Sequence, residues 1–163
     1  MDMTPGASYE HTQRSSLVPL LFGGIGLATL AILFLPSLHD MPLGPRLLLG
    51  ATGIALMGSG YVFSTLTVRV ADGALAWHFG PGAFRKSVPL ASVAKAEETT
   101  TSAIEGWGIH LTMRGWLYNV SGRKAVLVTL RDRTGFLLGS DEPDALVRAL
   151  GQLGPADRPA TNR

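Results

Sequence analysis

Two long stretches without charge constrain this chain more than any other feature. Residues 17–35 read LVPLLFGGIGLATLAILFL, and residues 47–66 read LLLGATGIALMGSGYVFSTL. No Asp, Glu, Lys or Arg occurs between Arg14 and Asp40, or between Arg46 and Arg69. A helix rises 1.5 Å per residue, so about 20 apolar residues are needed to cross ~30 Å of hydrocarbon. In water, helices that are apolar on every side need something to cover them. The pattern predicts two membrane-spanning helices, over 17–35 and 47–66.

The connector 36–46, PSLHDMPLGPR, holds three prolines and forces a turn. The spans then form a helical hairpin with both chain ends on one side. Lys and Arg favour the cytoplasmic side of a membrane. The connector offers only Arg46, whereas the flanks carry Arg14, Arg69, Arg85 and Lys86. The expectation is a multi-pass inner-membrane protein with its N-terminus and C-terminal domain cytoplasmic. A cleaved signal peptide is the competing reading. Its apolar core runs to only ~7–15 residues, and no small-x-small cleavage site follows the first run. Gly24 with Ala28, and Ala51 with Ala55 and Ser59, have the four-residue spacing that lets helices approach closely. Neither span contains an ionisable group of the kind that transport and proton relay use.

The rest of the chain has another texture. Residues 66–70 are rich in β-branched side chains and lead into Asp72-Gly73, a hairpin signal. In 74–80, ALAWHFG, Leu75, Trp77 and Phe79 alternate with Ala76 and His78. Gly80-Pro81-Gly82 turns the chain. Further strands are predicted over 84–90, 92–99, 116–120, 124–130 and 136–139, with a helix as the competing reading of 92–99. A closing helix follows. Asp141 suits its N-cap, Pro143 its first turn and Asp144 the positive end of its dipole. Leu146, Val147, Leu150 and Leu153 recur at helical spacing.

Seven short strands and one amphipathic helix describe a small antiparallel barrel or sandwich closed by a helix. The runs DGALAWHFGPGAFRKSVPLASV and GWGIHLTMRGWLYNVSG, the strand pair after them and the helix GSDEPDALVRAL together resemble membrane-anchored bacterial proteins with a pleckstrin-homology-like domain. The resemblance covers about residues 66–153. It implies an α+β membrane protein in which a two-helix transmembrane hairpin precedes a seven-stranded antiparallel β-barrel capped by a C-terminal helix. The organisation expected is an N-terminal tail over 1–16, the hairpin over 17–66, the domain over 67–154 and a disordered tail over 155–163. The resemblance implies a fold and a location more than an activity.

The chain of 163 residues has no cysteine, which excludes disulfides and thiolate metal sites. The net charge of +2 supplies no basic patch for nucleic acid. His11, His39, His78 and His110 are scattered without metal-ligand spacing. No nucleophile or carboxylate is tied to His110 by a motif. Neither catalytic residue, cofactor nor metal is therefore expected, and an enzyme using 107–114 ranks last. Asn119-Val120-Ser121 matches a glycosylation sequon, a short pattern of low specificity.

Two surfaces remain. The stretch 106–122 concentrates Trp107, His110, Arg114, Trp116 and Tyr118, which are candidates for contact with a peptide, a protein partner or a second copy. Within it, 107–114 reads as a loop, and Trp116 and Tyr118 as strand residues whose first role is packing. An open strand edge, or the groove beside the closing helix, could accept a peptide strand. The second surface is Arg85, Lys86, Arg123 and Lys124, candidates for anionic lipid headgroups. The first hairpin loop, 70–74, carries an acid and lacks the cations with which many such domains grip inositol phosphates. The expected function is a membrane-anchored module that presents its domain to a protein or peptide. A lipid-headgroup sensor is the alternative.

Overall fold

Strand β1 (Tyr9–Arg14) and strand β2 (Thr65–Ala71) pair antiparallel, from Tyr9↔Val70 to Arg14↔Thr65. Everything between them is an insertion at the end of this ladder: helix α1 (Leu17–Ile32), a 3-10 turn (Pro36–Leu38) and helix α2 (Leu43–Val62). The ladder extends one bond into the insertion, where the Ser15 amide donates to the Ser64 carbonyl at 2.8 Å. The start of α1 and the end of α2 are thereby held side by side. The computed structural model describes residues 9–38, 40–102 and 108–153. Part of the expected tail over 1–16 is thus a strand of the first sheet.

The helix pair corrects the membrane reading. Among the described residues no helix is long and apolar enough to cross a membrane. Helix α1 has 16 residues, about 24 Å at 1.5 Å per residue against the ~30 Å required. It stops short of 35 because Leu33 and Phe34 turn out of the helix ahead of Pro36. Helix α2 reaches 20 residues, but it begins in Gly44-Pro45-Arg46 and is diluted by Thr52, Ser59 and four further glycines, at 50, 53, 58 and 60. A two-span transmembrane hairpin, an integral membrane partner and a multi-pass inner-membrane location with cytoplasmic ends are all overturned by the shortness of α1 and the glycine and polar content of α2.

The helices meet through glycines other than those their spacing suggested. Gly26, Gly53 and Gly60 are buried, while Gly24, Ala28, Ala51 and Ala55 face outward. A Cβ on Gly53 would lie 2.7 Å from Leu30 Cγ, and one on Gly60 3.1 Å from Phe22 Cβ. The outer faces are apolar and exposed, with Leu20, Leu21, Leu47, Leu48 and Ile54 among them.

Strands β3 (Ala74–Phe79) and β4 (Ala83–Pro89) complete a four-stranded sheet in the order β1-β2-β3-β4. The second sheet contains β5 (Val93–Thr100), β6 (Gly108–Thr112), β7 (Gly115–Asn119), β8 (Lys124–Leu130) and β9 (Gly135–Gly139), in the order β5-β8-β9-β7-β6. Among the described residues, nine strands thus replace the seven expected. The second sheet is mixed, because β7 and β9 run parallel from Trp116↔Phe136 to Tyr118↔Leu138. The segment 92–99, where a helix was the rival reading, is strand from Val93 on, with Ser92 ending a 3-10 turn (Leu90–Ser92).

Alternation along β2 and β3 sends Leu66, Val68, Val70, Leu75, Trp77 and Phe79 into the core between the sheets. Trp77 stacks on Phe136 at 4.8 Å and meets Tyr118 edge-on at 5.2 Å, joining the two sheets. On the other face of the second sheet, Leu117, Ala125 and Leu137 are buried too. This two-sided burial explains why β8 and β9 read as nearly continuous apolar runs. Helix α3 (Pro143–Leu153) closes the core with Leu146, Ala149 and Leu150. At its entry, the Glu142 amide donates to Ser140 Oγ at 3.1 Å, and the Asp141 carboxylate bonds His11 of β1.

The helix pair is anchored at its base. Phe63 lies edge-on to Phe79 at 5.2 Å and stacked on Phe84 at 5.5 Å. Gly80, at φ +48°, donates its amide to the Thr65 carbonyl at 3.0 Å, and a Cβ there would lie 2.8 Å from the Val62 carbonyl oxygen.

Candidate functional site

Four strands end the two sheets among the described residues: β1, β4, β5 and β6. An edge strand presents unpaired backbone groups, and proteins usually guard it with charge or proline. Strand β1 carries Glu10 and Arg14, β4 carries Arg85, Lys86 and Pro89, and β5 carries Lys95, Glu97 and Glu98. On β5, Lys95 and Glu97 pair at 2.6 Å. Strand β1 is also tied to the second sheet, since Gln13 Nε2 donates to the Ser121 carbonyl at 2.8 Å and Ser121 Oγ to the Arg14 carbonyl at 3.2 Å. Strand β6, GIHLT, contains no Asp, Glu, Lys, Arg or proline.

Among the described residues of the β-rich part, three of the four exposed large apolar side chains gather at this same edge; the fourth, Phe84 of β4, stacks on Phe63. Leu111 pairs across the ladder with Trp116. Leu111 is 71% exposed, Trp116 47% and Met113, at the hairpin tip, 106%. The turn is rigidly built: Thr112 Oγ1 donates to the Gly115 carbonyl at 2.8 Å and accepts the Arg114 amide at 3.1 Å. Gly115 has φ +111°, and a Cβ there would overlap the Gly135 carbonyl, so only glycine fits.

A cavity of about 330 Å3 lies between β6 and the base of the helix pair. Val18 and Phe22 of α1, Ser59 of α2, Phe63 and the β6 residues Gly108, Ile109 and His110 line it. The groove beside the closing helix, lined by Val93, Lys95, Val147 and Leu150 among others, is smaller at about 190 Å3 and lies along the charged β5 edge.

The structure separates the residues that the sequence grouped. Trp107 lies outside the described residues. His110 lines the cavity, and Trp116 is exposed on the hairpin. Tyr118 is buried in the core, with Lys86 Nζ 5.4 Å from its ring centre. Arg114 is a strut: its guanidinium donates to Thr99 Oγ1 at 2.7 Å and to the Thr100 carbonyl at 3.1 Å.

The four cations proposed for lipid do not form one patch. Arg85 shares a cavity of about 300 Å3 on the first sheet with Glu10, Arg69 and His78, and Arg69 is itself paired with Glu10 and Asp72. Arg123 Nε donates to the Thr101 carbonyl at 3.2 Å. Lys124 lines a cleft of about 780 Å3 at the start of α3, together with the carboxylates of Glu98, Asp141, Glu142 and Asp144. A hydrogen bond with Asp144 raises the Glu98 carboxyl above its ordinary range; desolvation and the Asp144 charge add to the rise, while Lys124 and Arg148 oppose it. This cleft is larger than the cavities at β6, on the first sheet and beside α3, but acids surround its cations, which weakens any pull on an anionic surface. Among the described residues no group of three His, Asp or Glu could hold a metal.

Strand β6 itself was missed by sequence reasoning. Ile109 and Leu111 alternate with His110, which is a strand signal, but glycines on both sides suggested a loop. Val18, Phe22, Ser59 and Phe63 carry no such signal, because only the β1–β2 ladder brings the helix ends to the sheet. Set against known proteins, the chain matches no family model, no curated protein and no solved structure, and nothing in those comparisons identifies a pleckstrin-homology-like domain.

Proposed function

We propose that the β-rich part of this chain is a binding module for an extended segment of a protein partner, which it takes at the open edge of β6. The observation that carries the reading is the contrast among the four edges: β6 alone lacks charge and proline, and it alone is flanked by Leu111, Met113 and Trp116 in the open. An added strand satisfies the backbone groups of such an edge, and pockets beside it supply specificity. The module is not an enzyme in this reading. Backbone amides and apolar side chains hold a chain; they move no proton.

The test is photo-crosslinking in cells from a benzoylphenylalanine placed at 113, with position 95 on β5 as the control. We expect a discrete protein adduct from 113 and none from 95. The variant Leu111→Lys, which puts a charge on the edge, should abolish it. No adduct from 113, or an adduct indifferent to Leu111→Lys, sinks the proposal.

A further inference from the structure

We infer that the segment bound at β6 carries two large apolar side chains two residues apart, one seated in the cavity at the base of the helix pair and the next lying against Leu111 and Trp116. This inference rests on the strand-addition reading above and names the kind of segment that would be recognised. Side chains alternate along a strand, so Ile109 and Leu111 point to one face, about 7 Å apart. The cavity opens beside Ile109, and the exposed Trp116 sits opposite Leu111 in the ladder. A strand laid along β6 inherits this alternation. Its residue beside Ile109 meets the walls made by Val18, Phe22 and Phe63, and its residue two positions on meets Leu111 and Trp116. The residue between them points to the face of His110.

The chemistry of the walls specifies the occupant. No Asp, Glu, Lys or Arg is among the described residues that line the cavity, so a charged side chain placed against them would lose its hydration without a counter-ion from Asp, Glu, Lys or Arg. At about 330 Å3 the cavity lies at the lower end of the ~300–1,000 Å3 range of ligand pockets. That suits an aliphatic or aromatic side chain better than a folded domain. The rest of the segment is held by backbone hydrogen bonding, which is indifferent to sequence, so the cavity and the Leu111–Trp116 pair are where selection occurs.

The experiment is selection of phage-displayed random dodecapeptides on the immobilised full-length chain, kept in a mild non-ionic detergent because the outer faces of the helix pair are apolar. Two variants narrow the cavity from different walls, Ser59→Phe and Phe22→Trp, and circular dichroism verifies that each is folded. We expect enriched peptides to share large apolar residues at positions i and i+2. Each narrowed variant should weaken their binding by about tenfold or more, the scale of losing one buried apolar side chain. Peptides that bind without that spacing, or that ignore both substitutions, overturn this inference and leave strand addition standing. If no peptide is enriched, or if only detergent monomers compete for the cavity, strand addition and this inference fall together.

Discussion

Gly26 and Gly53 face each other across the helix pair so closely that a Cβ on Gly26 would lie 2.7 Å from the Gly53 carbonyl oxygen. That contact sets the distance between α1 and α2, and so the shape of the cavity wall that the two helices contribute.

The first prediction separates glycines that touch from glycines that do not. Around Gly24 and Gly58 nothing stands within 4 Å of an added Cβ. Alanine there should stabilise by about 0.5–1 kcal/mol through helix propensity alone. At Gly26 the same substitution also meets Met57 Cγ at 2.7 Å. Overpacking of ~1–3 kcal/mol should outweigh the propensity gain. Thermal unfolding in non-ionic detergent should therefore rise for Gly24→Ala and Gly58→Ala and fall for Gly26→Ala. Equal shifts at all three would contradict the interface described.

The second concerns the aromatic bridge between the sheets. Trp77 is 2% exposed and lies against Phe136 and Tyr118. Trp77→Ala should cost about 3–5 kcal/mol, a large part of ~5–15 kcal/mol of total stability. The indole Nε1 is buried without a hydrogen-bond partner among the described residues. Trp77→Phe keeps a stacking ring and removes that polar group, so its cost should be clearly smaller. Urea denaturation of the two variants side by side checks the order.

A third prediction follows from Asn119, which is fully buried. Its Nδ2 donates to the Gly122 carbonyl at 3.2 Å and its Oδ1 accepts the Ser121 amide at 3.3 Å, so the side chain builds the β7–β8 turn. The sequon residue is thus structural, and its amide is spent on the backbone. Asn119→Ala should cost about 1–3 kcal/mol, because it strips buried groups of their partners. A lower urea midpoint at unchanged slope is the expected signature.

The fourth is a titration. The hydrogen bond with Asp144 raises the Glu98 carboxyl above its ordinary range, whereas the Thr134 side chain and amide hold Asp132 below its own. For Glu98 the folded state binds its proton more tightly than the unfolded state. Its contribution to stability is complete below the ordinary glutamate range and is lost as pH rises through the raised value. Asp132 has the opposite sign: its contribution is present above the ordinary aspartate range and disappears as pH falls through the lowered value. Carbon-detected NMR should place the two midpoints on opposite sides of their ordinary values. Asp144→Ala should bring Glu98 down and Thr134→Ala should bring Asp132 up. A Glu98 midpoint unmoved by Asp144→Ala would refute the pairing.

The elements whose signal is local are legible in the amino-acid order. Alternation in Leu75, Trp77 and Phe79 and in Val126 and Val128 marks core strands, and the spacing of Leu146 and Leu150 marks α3, because a period of 2 or 3.6 states which side of an element is buried. It does not state which neighbour covers that side. The folded chain alone reveals that Tyr9–Arg14, polar and distant in sequence, completes a sheet with the strand that begins at Thr65, beyond the helix pair. The same is true of the parallel pairing of β7 with β9, of the joining of the helices by Gly26 and Gly53 rather than Gly24 and Ala28, and of the early end of α1 at Ile32. The same holds for the candidate site. His110 and Trp116 stood out in the sequence by residue type, but their surroundings come from helix ends that the β1–β2 ladder delivers, and pairing across such distances leaves no periodic trace in the chain.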